Sequence, residues 1–290
     1  MGYGRDMKQV CIYHAGCPDG FGAAWATWKG WGGQGEFIPR GHEDRLDPRI
    51  AEGALLAFVD IAPATTELEM LADAASHLTI LDHHVTNQER ILGDTELLEA
   101  LEDRGHTIHF DMKRSGAMMA WNHFNPDEDP PDLLRYVQDQ DLWNWELPDS
   151  EAVNSAIGSY PHDFQVWDDL ASRDISSLVQ EGASIVRTNQ IEVDRAVRHR
   201  TVLNVSGRKV EGANSRTQRS AIGHALAERR AFGEPWGCVY RIETTEVHAT
   251  LYSIGDFDVA QVASELGGGG HRNAAGFTVD FKTFFEEFLV

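Results

Sequence analysis

Three short apolar runs mark the first third of the chain, at residues 9–13, 55–59 and 78–81, and each ends on groups that ionise or bind metal: His14, Asp60 and Asp82-His83-His84. Unbroken apolar runs of this length suit parallel strands buried on both faces, and the stretches between them at 21–28 and 66–75 are compatible with helices. The pattern predicts an α/β fold. In an open parallel sheet, ligands gather beyond the carboxyl ends of the strands, so His14, Asp60, Asp82 and His83 are expected to meet in one crevice despite their separation in sequence.

A further strand is predicted at 106–110 and a helix at 115–124, with Ser115 as its cap. A Pro-rich, acidic loop fills 125–131, and a helix over 132–138 leads into Asp139-Gln140-Asp141-Leu142-Trp143. Residues 161–200 read as mostly helical and strongly charged, a connector between two lobes. Beyond residue 200, strands at 201–205, 239–243 and 247–254 and helices at 217–230 and 259–266 predict a smaller mixed α/β lobe that runs into Gly267-Gly268-Gly269-Gly270-His271. The expected organisation is a catalytic domain over 1–160, a helical linker over 161–200 and a second domain over 201–290, which suits the 290-residue length.

Charge narrows the partners. The chain carries 25 Lys and Arg against 46 Asp and Glu, a net −21, and such a field repels long polyanions, so stable binding to duplex DNA is not expected. The three cysteines are odd in number and lack the spacing of a disulfide framework or a zinc ribbon, which fits a reducing compartment. Residues 1–8 carry no apolar leader, and no stretch approaches the ~18 consecutive apolar residues of a membrane helix. A soluble, cytoplasmic protein with no membrane partner is expected.

Carboxylate plus imidazole, as in Asp82-His83-His84, suits manganese, iron or zinc, whereas oxygen-only clusters suit magnesium or calcium. A second element, His14-Ala15-Gly16-Cys17-Pro18-Asp19-Gly20, also follows an apolar run and offers His14, Cys17 and Asp19 on a glycine-bearing loop. Asp60 would be awkward as a core residue at a strand end, although a helix cap before Pro63 would also use it. Asp139 and Asp141 add carboxylates. A pair of divalent ions needs several carboxylates, usually one of them bridging, and serves hydrolysis by activating water and clamping a phosphoryl oxygen. The inventory suffices for two metals. The glycine run has a logic of its own, because residues without Cβ let backbone N–H groups approach phosphate oxygens; His271 and Arg272 would add donors. Trp25, Trp28, Trp31, Trp121, Trp143 and Trp145 are expected mostly in the core, with base stacking as the competing use.

On these motifs the chain resembles the DHH phosphoesterase family with its associated C-terminal domain. Asp82-His83-His84 matches the triplet that names the family, residues 14–20 resemble its first motif, Asp60 its second and Asp139 its fourth, while residues 267–277 resemble the GGGH signature of the associated domain. The resemblance implies that Asp60 bridges two divalent ions, most simply manganese, with zinc, iron or magnesium as alternatives. It puts His14 on one ion and Asp19, His83 and Asp139 on the other. His84 would touch the substrate phosphate and Asp82 would orient the histidines. Gly268, Gly269, Gly270, His271 and Arg272 would hold the substrate. Two departures stand out. Cys17 occupies a place where relatives commonly carry aspartate, and a thiolate biases that site toward zinc or iron. Tyr252 replaces an arginine of an upstream segment, a loss for which Arg216, Arg219 or Arg272 could compensate.

The resulting expectation is a metal-dependent phosphohydrolase acting on a short single-stranded oligonucleotide, a dinucleotide or a nucleotide bisphosphate through a two-metal-activated water. Competing expectations are a single-strand exonuclease, a pyrophosphate or polyphosphate hydrolase, and a non-catalytic nucleotide sensor. The sequence leaves the oligomeric state open.

Overall fold

The computed structural model describes residues 7–41 and 46–290. Residues 1–6, most of the stretch read above as lacking a leader, lie outside the described residues. The chain divides into two compact units that meet between Ile185 and Val186. No helix among the described residues is long and apolar enough to cross a membrane.

The first unit is built on a five-stranded, all-parallel sheet in the order β2-β1-β3-β4-β5. Its strands are β1 (Gln9–His14), β2 (Glu36–Arg40), β3 (Leu55–Val59), β4 (His77–Asp82) and β5 (Thr107–Phe110). The apolar run of β3 is buried at every position, as expected for a central strand covered on both faces. The chain leaves β1 through α1 (Pro18–Gly30) to β2 on one side and later returns to β3 on the other. The carboxyl ends of β1 and β3 thus flank the point where strand order reverses, the usual crevice of such sheets.

One face of the sheet packs under α1, α5 (Gly116–Phe124), α6 (Asp132–Asp141), α7 (Ser150–Ile157) and α8 (Phe164–Ser172), with Trp25, Trp121 and Trp167 buried among them. Each such aromatic contributes about 2–3 kcal/mol by burial. The other face packs under α2 (Thr65–Ala74), α3 (Val85–Leu92) and α4 (Thr95–Asp103) around Phe58, Ile80 and Leu101. Part of the stretch expected as a linker therefore belongs to this core: Trp167, Leu170 and Leu178 are buried with the residues around α1. The long α9 (Ile175–Arg198) carries the chain across the division between units.

The second unit is a six-stranded mixed sheet, β10-β11-β9-β8-β7-β6, formed by β6 (Thr201–Val205), β7 (Arg208–Asn214), β8 (Trp236–Ile242), β9 (Glu246–Ser253), β10 (Gly269–His271) and β11 (Ala274–Asp280). Only β7 and β8 pair in parallel, joined by α10 (Arg219–Arg229); α11 (Val259–Ser264) precedes β10. Glu211 of β7 is buried and accepts from Arg200 and Arg229, both at 2.6 Å. Its carboxylate joins the end of α9 to α10, and the two guanidiniums hold it below the usual carboxylate range although burial alone would raise it.

Candidate metal centre

The loop after β1 begins the site. Cys17 caps α1: its Sγ accepts from the Gly20 N–H at 3.2 Å, with Pro18 in the first helical turn. Gly20 is obligatory, because a Cβ there would lie 2.1 Å from the His14 carbonyl oxygen. Asp19, on that first turn, is buried and accepts from the backbone N–H groups of Gly116 (2.7 Å) and Ala117 (3.1 Å). The N-terminus of α5 thus holds the Asp19 carboxylate through dipole and donors together.

Asp60, just beyond β3, sits in the left-handed region at φ 59, a conformation that Asp tolerates better than most residues. Its two oxygens face different neighbours: Oδ1 lies 3.1 Å from His83 Nε2, and Oδ2 lies 3.3 Å from His14 Nδ1. Gly116 makes room for this carboxylate, since a Cβ at that position would fall 2.4 Å from the Asp60 Cβ.

At the end of β4, Asp82 is fully buried and spends its acceptors on orientation. Oδ1 accepts from His84 Nδ1 (2.7 Å) and the His83 N–H (2.8 Å), and Oδ2 accepts from Asn87 Nδ2 (2.7 Å). Asn87 in turn accepts from Arg90, which also donates to Thr65. A carboxylate bonded to one imidazole nitrogen fixes the tautomer and presents the other nitrogen as a ligand.

Two groups of ligand atoms result, each within 4.8 Å: His14, Asp60 and His84, and Asp19, His83 and Asp141. Asp60, bonded to His83 across the gap, lies between them. Two expectations change. Asp139 does not join: it is buried and turned back on its own loop, accepting from the N–H groups of Glu146 (2.9 Å) and Leu147 (3.3 Å). Asp141 takes that place, 3.5 Å from His83 Nε2. Residues two apart on a helix point about 200° away from each other, so only one of the pair can face the cluster. His84 sits among the ligand atoms of the first group rather than apart from them. Cys17 borders that group, its Sγ 3.5 Å from His14 Nδ1 and 3.6 Å from Asp60 Oδ2.

Electrostatics suits a cation here. Burial, followed by the charges of Asp141 and Asp60, pushes Asp19 well above the usual carboxylate range, and burial with Asp60 lifts Asp141 to about 6 against the pull of His83. For Asp60, burial acts upward, but the His14 and His83 hydrogen bonds win and hold it low. Burial alone would lower His83; the Asp60 bond and the Asp141 and Asp19 charges instead raise it to about 10. Burial and the neighbouring acids push the Cys17 thiol up. Carboxylates crowded together in this way gain when a divalent ion supplies the opposite charge. With imidazoles from both sides, the donor set fits manganese, iron or zinc.

The loop after Asp141 is strained. Trp143, Trp145 and Asp149 have φ of 58, 56 and 54, uncommon for any residue but glycine and more so for bulky aromatics, at a cost on the order of 1–3 kcal/mol each. Asp139 restrains it, its carbonyl accepting from Asn144 (2.9 Å) in addition to the two carboxylate bonds. Next to Asp19 and Asp141 lies a cavity of about 180 Å³, bordered also by Pro18, Val137 and Asn154.

In the second unit, Gly269, Gly270 and His271 form the exposed edge strand β10, paired with Gly276, Ala275 and Ala274. Gly268 and Gly270 serve this pairing: a Cβ would meet the Gly276 oxygen at 2.0 Å or the Ala274 oxygen at 2.7 Å. Gly269 meets nothing within 4 Å, so packing within the unit does not demand glycine there. Arg272 donates to the Asp256 carbonyl at 2.9 Å, and Arg216 pairs with Glu243. Tyr252 is a core residue under α10, against Gly223, where a Cβ would fall 2.1 Å from its ring.

No family model matches the sequence. An uncharacterized protein of Acanthamoeba polyphaga mimivirus is 25% identical over 94% of this chain and 68% of its own length. Among solved structures, a pGpG-specific phosphodiesterase from Vibrio cholerae superposes with a TM-score of 0.52 at 11% identity, covering 95% of this chain and 94% of its own. The chain has the DHH fold. An exopolyphosphatase-related protein from Bacteroides fragilis shares the DHH fold with it at a TM-score of 0.51 and 12% identity, over 93% of this chain and 86% of that one. Within the DHH fold of this chain, the triplet lies at the end of β4 and the glycine-rich signature forms β10.

Proposed function

We propose that this chain is a divalent-metal-dependent phosphohydrolase that cleaves phosphate esters of short oligonucleotides, dinucleotides or nucleotide bisphosphates. The observation that carries the reading is the Asp60 carboxylate, whose oxygens face His83 at 3.1 Å and His14 at 3.3 Å and so suit one ion on either side. His14, Asp60 and His84 would hold one ion, with Cys17 at its edge, and Asp19, Asp60, His83 and Asp141 the other. When bound, such ions lower the pKa of water and neutralise phosphoryl oxygens. The chain's own part is to fix the ligands. Asp82 orients His84 and anchors the backbone of His83, the α5 N-terminus holds Asp19, and the strained Asp60 backbone aims one carboxylate both ways. His271, Arg272 and the open backbone at Gly269 remain the substrate donors of the second unit. The similarity to a pGpG-specific phosphodiesterase supports the nucleotide reading; the similarity to an exopolyphosphatase-related protein supports polyphosphate as the second one.

The test is a matrix of substrates and metals. Metal-stripped protein should be inactive, and manganese should restore release of nucleoside monophosphate from dinucleotides; phosphate release from pyrophosphate or tripolyphosphate alone would favour the second reading. A narrower expectation concerns Cys17. Replacing thiol by carboxylate hardens the first site, so Cys17→Asp should tighten manganese about tenfold and weaken zinc, read by metal titration and manganese-supported turnover. Unchanged manganese affinity would remove Cys17 from the ligand set.

A further inference from the structure

The loop that follows Asp141 presents an exposed indole. Trp143 is 42% exposed, whereas Trp25, Trp121, Trp167 and Trp236 are all buried. Its ring meets Trp145 edge to face, with centroids 5.0 Å apart, so one indole braces the other. Both residues are held at positive φ, and Asp139 ties the intervening backbone in place. A strained, exposed and braced indole two positions after Asp141, with at most about 7 Å of backbone between their Cα atoms, is placed for a ligand rather than for the core.

We propose that Trp143, supported by Trp145, is a stacking face for the nucleobase of the substrate. This deepens the phosphohydrolase reading and rests on it: it selects nucleobase-bearing esters over polyphosphate. An indole face stacks on any base with little sequence preference, and the interaction carries no charge, which matters in a protein of net charge −21.

The test compares adenosine 5′-monophosphate with ribose 5-phosphate, which share phosphate and sugar and differ in the base. Calorimetry in the presence of manganese should give the wild type a preference of about tenfold for the nucleotide. Trp143→Ala should bring that ratio close to one, and Trp143→Phe should retain most of it, with the preference for adenylyl dinucleotides in KM moving in parallel. Retention of the full ratio in Trp143→Ala overturns the assignment, as does a ratio near one in a wild type that hydrolyses phosphate esters. A ratio that depends on Trp143 in a chain that hydrolyses none would keep the stacking face and remove the enzymatic reading.

Discussion

Asp60→Ala should abolish hydrolysis, lowering kcat/KM by at least about 10³-fold, or about 4 kcal/mol of transition-state stabilisation. The carboxylate lies between His14 and His83, so under the two-metal reading proposed above its loss would remove a ligand shared by both ions. Metal analysis should fall from about two ions per chain to substoichiometric values. Thermal melts separate this from misfolding. Metal binding to the folded state should raise the wild-type Tm by linkage, and that rise should vanish in the variant while a cooperative melt persists. Asp60→Asn, which keeps a side chain suited to the left-handed backbone at φ 59, should share the loss of metal and activity. Near-normal turnover in either variant would remove the two-metal assignment.

Gly116→Ala should be nearly as damaging, although it adds one methyl group outside the ligand set. The new carbon would lie 2.4 Å from the Asp60 Cβ and 2.8 Å from its Cα, so a side chain cannot simply turn aside; backbone must move. Overpacking of this kind costs about 1–3 kcal/mol of stability. The displacement would shift Asp60 and also the Gly116 N–H that holds Asp19 at 2.7 Å, and misplacement of the site by about 1 Å costs on the order of 10²-fold in rate. Calorimetric unfolding and steady-state kinetics check the two effects. A variant with wild-type kcat would mean that α5 and the Asp60 turn are not pressed together as described.

Much of this was legible in the sequence because the central strands are covered on both faces. Residues 9–13, 55–59 and 78–81 read as apolar runs, and they are β1, β3 and β4. The edge strand β2 was not recognised: it contains Pro39, pairs only with β1 and has just one buried residue, so it lacks the signal of a central strand. Helices α3 and α4 also escaped, their few buried residues, Ile91, Leu97 and Leu101, being spread among charges. In the second unit, β10 has glycines where a pattern would need side chains. The site was legible where ligands sit at strand ends, as with His14, Asp60 and His83. It was ambiguous on α6, where sequence does not reveal which way a helix end is turned, and the ligand position at 139 or 141 depends on that rotation. Gly116 carried no chemical signal of its own; its part follows from a close approach between segments 56 residues apart in the chain, from Asp60 to Gly116.

Asp139 has an evolutionary consequence. One acid that touches no ligand atom fixes both where α6 stops and how the following indoles are displayed, so heritable change there would be felt simultaneously in two properties. If Trp143 stacks on the substrate as proposed, what this scaffold accepts is changed more easily through replacement of that indole than through alteration of its anchor.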